Sequence, residues 1–160
     1  MYYVIDYSSL WKLIDEETSR VADKSYTEQG ASQYDLIHLT SQDQNAIRRL
    51  IDDSVSKLVA RLRDICKYSP LIYYAMEGGQ QTDQITSITP RIQFYVPDMD
   101  EKSEEPVREE VTRYIVFYVT ASHLGEKSPD RAQQYVDLSA AALDKANLLL
   151  RTRKPITESW

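Results

Sequence analysis

The chain has 160 residues, with 19 Lys+Arg against 25 Asp+Glu and a formal net charge of -6. That length suits one domain, 1–160, burying roughly two thirds of its unfolded surface. The acidic balance argues against a dedicated nucleic-acid binder, whose phosphate contacts need a clustered basic face. Four glycines and six prolines leave little room for an all-β or loop-rich design. The single cysteine, Cys66, rules out an internal disulfide and a multi-thiolate zinc site, and reads as a buried free thiol on a helix.

The opening Met1-Tyr2-Tyr3-Val4-Ile5-Asp6-Tyr7 has neither the basic flank nor the long apolar run of a secretory leader. The most apolar stretch, 114–119, falls far short of the ~20 residues of a membrane span. A soluble chain made in a reducing cytoplasm, with no membrane contact, is expected. A first helix is predicted over 9–24, with Ser8 or Ser9 as N-cap and Leu10, Trp11, Leu13, Ile14, Val21 and Ala22 as its apolar face. Residues 25–39 are polar and aperiodic, a loop around Gly30.

Ser41 and Gln44 have capping-box spacing, opening a second helix over 42–68. Its apolar face repeats at three- and four-residue steps through Ile47, Ile51, Val55, Leu58, Leu62, Ile65 and Cys66. Pro70 disfavours helix at Ser69 and ends it. An extended excursion follows over 70–97. Leu71-Ile72-Tyr73-Tyr74-Ala75-Met76 and Arg91-Ile92-Gln93-Phe94-Tyr95-Val96 read as strands of an antiparallel hairpin with a long tip at 77–89. Ile92, Phe94 and Val96 share one side. A lone hairpin is marginal in water, so this one must pack on the helices or on another subunit.

After an acidic loop at 98–105, a third helix is predicted over 105–124, with Pro106 at N1 and Gly125 at C′. It is apolar all round at 114–119 and belongs in the middle of the fold. Ser128-Pro129-Asp130 opens a fourth helix over 129–152, and a tail occupies 155–160. The expected fold is mainly α: a four-helix bundle with an inserted β-hairpin excursion between helices 2 and 3.

Chemistry is sparse. Neither His38 nor His123 has a cysteine or carboxylate at metal-ligand spacing. Glu105, Glu109 and Glu110, and separately Asp15-Glu16-Glu17, loosely resemble the acidic helices of magnesium-dependent nucleotide hydrolases, but read more simply as solvated helix charge. There is no phosphate-cradling Gly-rich loop and no Gly-x-Ser-x-Gly turn. No catalytic, cofactor-binding or metal residue is assigned; no cofactor and no enzymatic activity are expected. Arg151, Arg153 and Lys154 complement the end of the last helix, with contact to DNA phosphate or an acidic partner as the second reading.

Twelve tyrosines stand against two phenylalanines. Tyrosine joins an apolar face to a polar tip and suits half-wet interfaces. Tyr2, Tyr3, Tyr7 and Trp160 near the ends, with Tyr73, Ile92, Phe94 and Val96 of the excursion, form the candidate subunit or partner interface. On that reading Phe94→Asp leaves helix content intact and blocks assembly.

The helix at Pro106-Val107-Arg108-Glu109-Glu110-Val111-Thr112-Arg113-Tyr114-Ile115-Val116-Phe117-Tyr118 is followed by a Ser-Pro-Asp turn. Then come Arg131-Ala132-Gln133-Gln134-Tyr135-Val136-Asp137 and Ala140-Ala141-Ala142-Leu143-Asp144-Lys145-Ala146-Asn147-Leu148-Leu149. With Ile51-Asp52-Asp53-Ser54-Val55-Ser56-Lys57-Leu58 before them, these segments resemble the head-to-tail connector (adaptor) proteins of tailed bacteriophages, over about 41–154. The resemblance implies a non-enzymatic virion component at the capsid-tail junction, made in the host bacterial cytoplasm. It implies a homo-oligomeric ring, typically dodecameric, under the portal protein, extending the DNA channel toward the tail or neck proteins. Contact with channel DNA would be at most non-specific, which suits an acidic chain. The alternatives are a helical metal-dependent nucleotide hydrolase using Glu105, Glu109 and Glu110, or a small dimeric helical regulatory or partner protein.

Overall fold

The structure, a computed structural model, describes residues 1–77, 80–96 and 99–152, and for 67–89 the backbone. The chain is mainly helical with one antiparallel sheet. The helices are α1 (Tyr7–Ala22), α2 (Tyr34–Ile37), α3 (Gln44–Arg61), α4 (Glu104–Leu124) and α5 (Pro129–Arg151); the strands are β1 (Tyr2–Val4), β2 (Cys66–Glu77) and β3 (Gln80–Phe94).

Helix α1 begins earlier than the serines suggest, because Asp6 is the cap. Its carboxylate accepts from the Ser9 hydroxyl at 2.7 Å and from the backbone N–H groups of Ser8 and Ser9 at 3.0 and 3.2 Å. These bonds, the Ser9 hydroxyl first, hold the Asp6 carboxyl below the usual carboxylate range. The expected loop at 25–39 contains the one-turn α2, and a Tyr26–Ser32 bridge closes around Gly30 at φ 79°. Gly30 supplies the left-handed turn that an L side chain would strain.

The second long helix differs at both ends. Its capping box is Thr40 with Asp43, one residue ahead of the Ser41/Gln44 pair. The Thr40 N–H and hydroxyl both donate to Asp43, at 2.8 and 2.9 Å. After a 3-10 turn at Ser41–Asp43, α3 stops at Arg61 and not at 68. Leu62 still lies in the core, but Ile65 and Cys66 leave helical register, and Cys66 pairs with Phe94 at the base of the sheet. Cys66 is therefore a buried strand thiol and not a helical one. Burial pushes it up to about 11, so it is unreactive near neutral pH.

The sheet order is β1-β3-β2, all antiparallel. Strand β1, unforeseen in sequence, sets Tyr3 opposite Ile92, and the ammonium of Met1 donates to the Phe94 carbonyl at 3.2 Å. Alternation along it sends Tyr3 and Ile5 into the core and leaves Tyr2 and Val4 outside. Strands β2 and β3 pair antiparallel between α3 and α4, and most of the tip expected at 77–89 is strand, since β2 runs to Glu77 and β3 begins at Gln80. Residues 78–79 lie outside the described residues.

Part of the acidic loop is a 3-10 turn, Glu101–Ser103, and the Asp100 carboxylate accepts from the Lys102 N–H at 3.1 Å. Helix α4 is the central element, packed against α1, α3 and α5. Val107, Val111, Ile115, Val119 and Leu124 along it are wholly buried. Helix α5 buries only a narrow stripe, Ala132, Tyr135, Ser139, Ala142, Ala146 and Leu150, at three- and four-residue steps. Its small residues let the two helix axes approach closely. Most of the core, including Leu10, Ile14, Ile51, Leu58, Ile92 and Phe94, gathers around the sheet end of α4. A smaller cluster of Val21, Ile37, Leu124 and Tyr135 closes the other end.

Candidate interaction surfaces

The residues singled out as an interface separate into three groups. Tyr3, Ile92 and Phe94 are buried within the chain's own core, at 7%, 0% and 2% exposure, so they face no neighbour in this fold. Tyr3 also exchanges a hydrogen bond of 2.9 Å with the Thr112 hydroxyl of α4, and its burial raises the phenol pKa. The side shared by Ile92, Phe94 and Val96 is the inner face of the sheet, since Ile92 and Phe94 are buried in one cluster with residues of α3 and α4; only Val96 remains half-buried. The N-terminus thus docks on its own chain.

Tyr2 and Tyr7 remain accessible. The Arg91 guanidinium sits 4.1 Å above the Tyr2 ring and that of Arg48 4.5 Å above the Tyr7 ring. Tyr7 also donates to Asp52 at 2.5 Å. Such stacking fixes two long cationic side chains against aromatic faces. Tyr73 contributes a described backbone, paired in register with Ser87. Trp160, Arg153 and Lys154 lie outside the described residues. Arg151 is committed to Asp64 at 2.9 Å and to Asn147 at 2.8 Å, tying the end of α5 to the turn after α3.

The acidic residues at the start of α4 are also dispersed. Glu105 and Glu109 are exposed. Glu110 is buried and accepts from Arg113 at 2.7 Å and from Lys145 of α5 at 2.6 Å. Its carboxylate is a joint between α4 and α5. On α1, Glu17 accepts from the Tyr135 hydroxyl at 2.8 Å and from Arg20 at 3.0 Å. Among the described residues no three His, Cys, Asp or Glu stand together as a metal-holding group.

Both histidines are helix-end fasteners. His38 stacks on Tyr34 and bonds its carbonyl through Nδ1. Nε2 of His123 lies 2.8 Å from the Ile37 carbonyl, an atom that only accepts, so the imidazole donates and joins α4 to α2. Burial is the first cause holding the His123 pKa below 6.5. The Lys127 ammonium at 3.3 Å adds to it; the Ile37 carbonyl and Asp43 oppose. The unfolded chain therefore takes up this proton before the folded chain does, and stability falls as pH drops through 6.5 toward the lower folded value. His123→Gln is expected to flatten the dependence of the urea midpoint on pH between about 5 and 7. An unchanged slope in that variant would assign the titration elsewhere.

One accessible concavity was not foreseen. A cleft of about 310 Å³ lies between the start of α1 and the start of α3, lined by Tyr7, Trp11, Arg48 and the core residues Ile47 and Ile51. Periodicity puts Trp11 on the apolar face of the first helix, and Arg48 is not among the apolar positions of the second. The missed signal is the four-residue spacing of Tyr7 and Trp11, and of Arg48 and Asp52, which stacks each pair on one helix side.

No helix among the described residues is long and apolar enough to cross a membrane. No family model, curated protein or solved structure matches the chain.

Proposed function

We propose that this chain is a non-enzymatic structural component of a phage virion, a head-to-tail connector that forms a ring under the portal and extends the DNA channel toward the tail. In this reading the four long helices form a bundle and the β2–β3 hairpin is an arm. One observation carries the assembly role. The N-terminal segment bonds β3 only at 90–94, so farther out, among the described residues, the two hairpin strands pair with each other and with no other strand. A two-stranded ribbon of that length is marginal in water, and the outer edge of a strand is a template for a further strand or a packed surface. A subunit that meets neighbours supplies that cover.

The test is negative-stain imaging of the full chain, alone and mixed with a phage portal ring. Rotationally symmetric rings, or added density below the portal, are expected. A uniform small particle in both samples overturns the reading, and a mass of two chains points to the dimeric partner protein instead.

A further inference from the structure

The cleft between α1 and α3 is built from the side chains that dominate binding energy at protein interfaces: a tryptophan, a tyrosine and an arginine around an apolar floor. Tyr7 and Trp11 are half-buried walls, and Ile47 and Ile51 are the floor. Stacking on Tyr7 holds the Arg48 guanidinium at the rim, so less side-chain freedom is lost when a partner arrives. The adjacent Arg49 is exposed, and neither arginine has a carboxylate within ion-pair distance among the described residues.

A surface of matching character stands on α5. Opposite the stripe that packs on α4, the positions Asp137, Ala141, Asp144 and Leu148 recur at steps of four, three and four residues. All four are exposed, and Leu148 is 69% exposed. This is the spacing of a helix face laid into a groove. A single exposed leucine is ordinary. The combination differs: an apolar line interrupted by two acids, opposite in sign to the arginines at the cleft.

We infer that α5 of one copy docks along the α1/α3 cleft of a second copy, Leu148 and Ala141 covering Trp11 and Tyr7 while Asp137 and Asp144 meet Arg48 and Arg49. The inference rests on the connector reading and supplies its subunit joint. The two surfaces belong to different helices, so the contact is heterologous; repeated head to tail, it gives a ring when the rotation between copies returns on itself.

The experiment compares full-length wild type, Leu148→Arg and Arg48→Glu by size-exclusion chromatography with light scattering. Both positions are exposed, and circular dichroism checks that each variant is folded. Wild type is expected to assemble, and each variant alone to run as a single chain of 18.5 kDa. Mixed in equal amounts, the variants are expected to form one-to-one pairs. Leu148→Arg keeps an intact cleft and Arg48→Glu an intact α5, so one joint forms and growth stops. Variants that assemble like wild type, or a mixture that stays monomeric, overturn this joint and leave the connector reading standing. Wild type that is a single chain at every concentration and on the portal, or a closed pair, overturns both.

Discussion

Phe94→Asp is expected to unfold the sheet end of the core, and not merely to release an assembly contact. Phe94 is 2% exposed and packs in the same cluster as Cys66, Ile92 and Leu62. Removing a buried aromatic ring costs about 3–5 kcal/mol through lost transfer energy and the cavity left behind. Placing a carboxylate there adds the penalty of an unpaired buried charge. The sum is a large share of the roughly 5–15 kcal/mol that holds a domain of this kind together. Urea denaturation followed by circular dichroism should show the variant unfolded or with its midpoint greatly lowered. The adjacent Tyr95 is 52% exposed and serves as control: Tyr95→Asp should change stability by no more than about 0.5 kcal/mol. A wild-type midpoint for Phe94→Asp would mean that this ring is not in the core.

The same residue shows where the sequence was legible and where it was not. Alternation put Ile92, Phe94 and Val96 on one side of a strand, and they are. What alternation does not state is which surface covers that side. That side is buried in one cluster with residues of α3 and α4, while the N-terminal strand holds the edge of β3 through bonds separated by up to 93 residues in the chain. Strand β1 is three residues long and pairs only with a distant partner, so no local period identifies it. The tyrosines around it read as docking residues because their partner, β3, was not in view.

Helix ends depended on the same balance of local and distant effects. Helices α4 and α5 match expectation within a residue because their stop signals are local. Gly125 takes the position after α4 at φ 26°, and Pro129 opens α5. Helix α3 has no such local stop. Apolar residues continue in helical period to Cys66, but pairing of Cys66 with Phe94 satisfies the backbone as strand, and the helix ends at Arg61. The cleft between α1 and α3 was the least legible feature. Each of its side chains has an ordinary explanation on its own helix, and only the crossing of α1 and α3 brings them together.

Glu110 gives the second large expected effect. Its side chain is 5% exposed, whereas those of Arg113 and Lys145 are 52% and 58% exposed. Losing either cation alone leaves the other in place and a carboxylate still paired, so Arg113→Ala or Lys145→Ala should each cost about 1 kcal/mol or less, as for solvent-screened pairs. Losing both strands a buried charge, and the double variant should cost about 3 kcal/mol, more than the two single losses added. Glu110→Gln in the double-variant background removes that charge and should recover most of the loss. Thermal or urea melts of the five proteins measure the coupling. If the double variant is no worse than the sum of the singles, the carboxylate has reached water by another rotamer. If the coupling is as large as expected, Glu110 is a charged joint between α4 and α5 that works beside the buried stripe of α5.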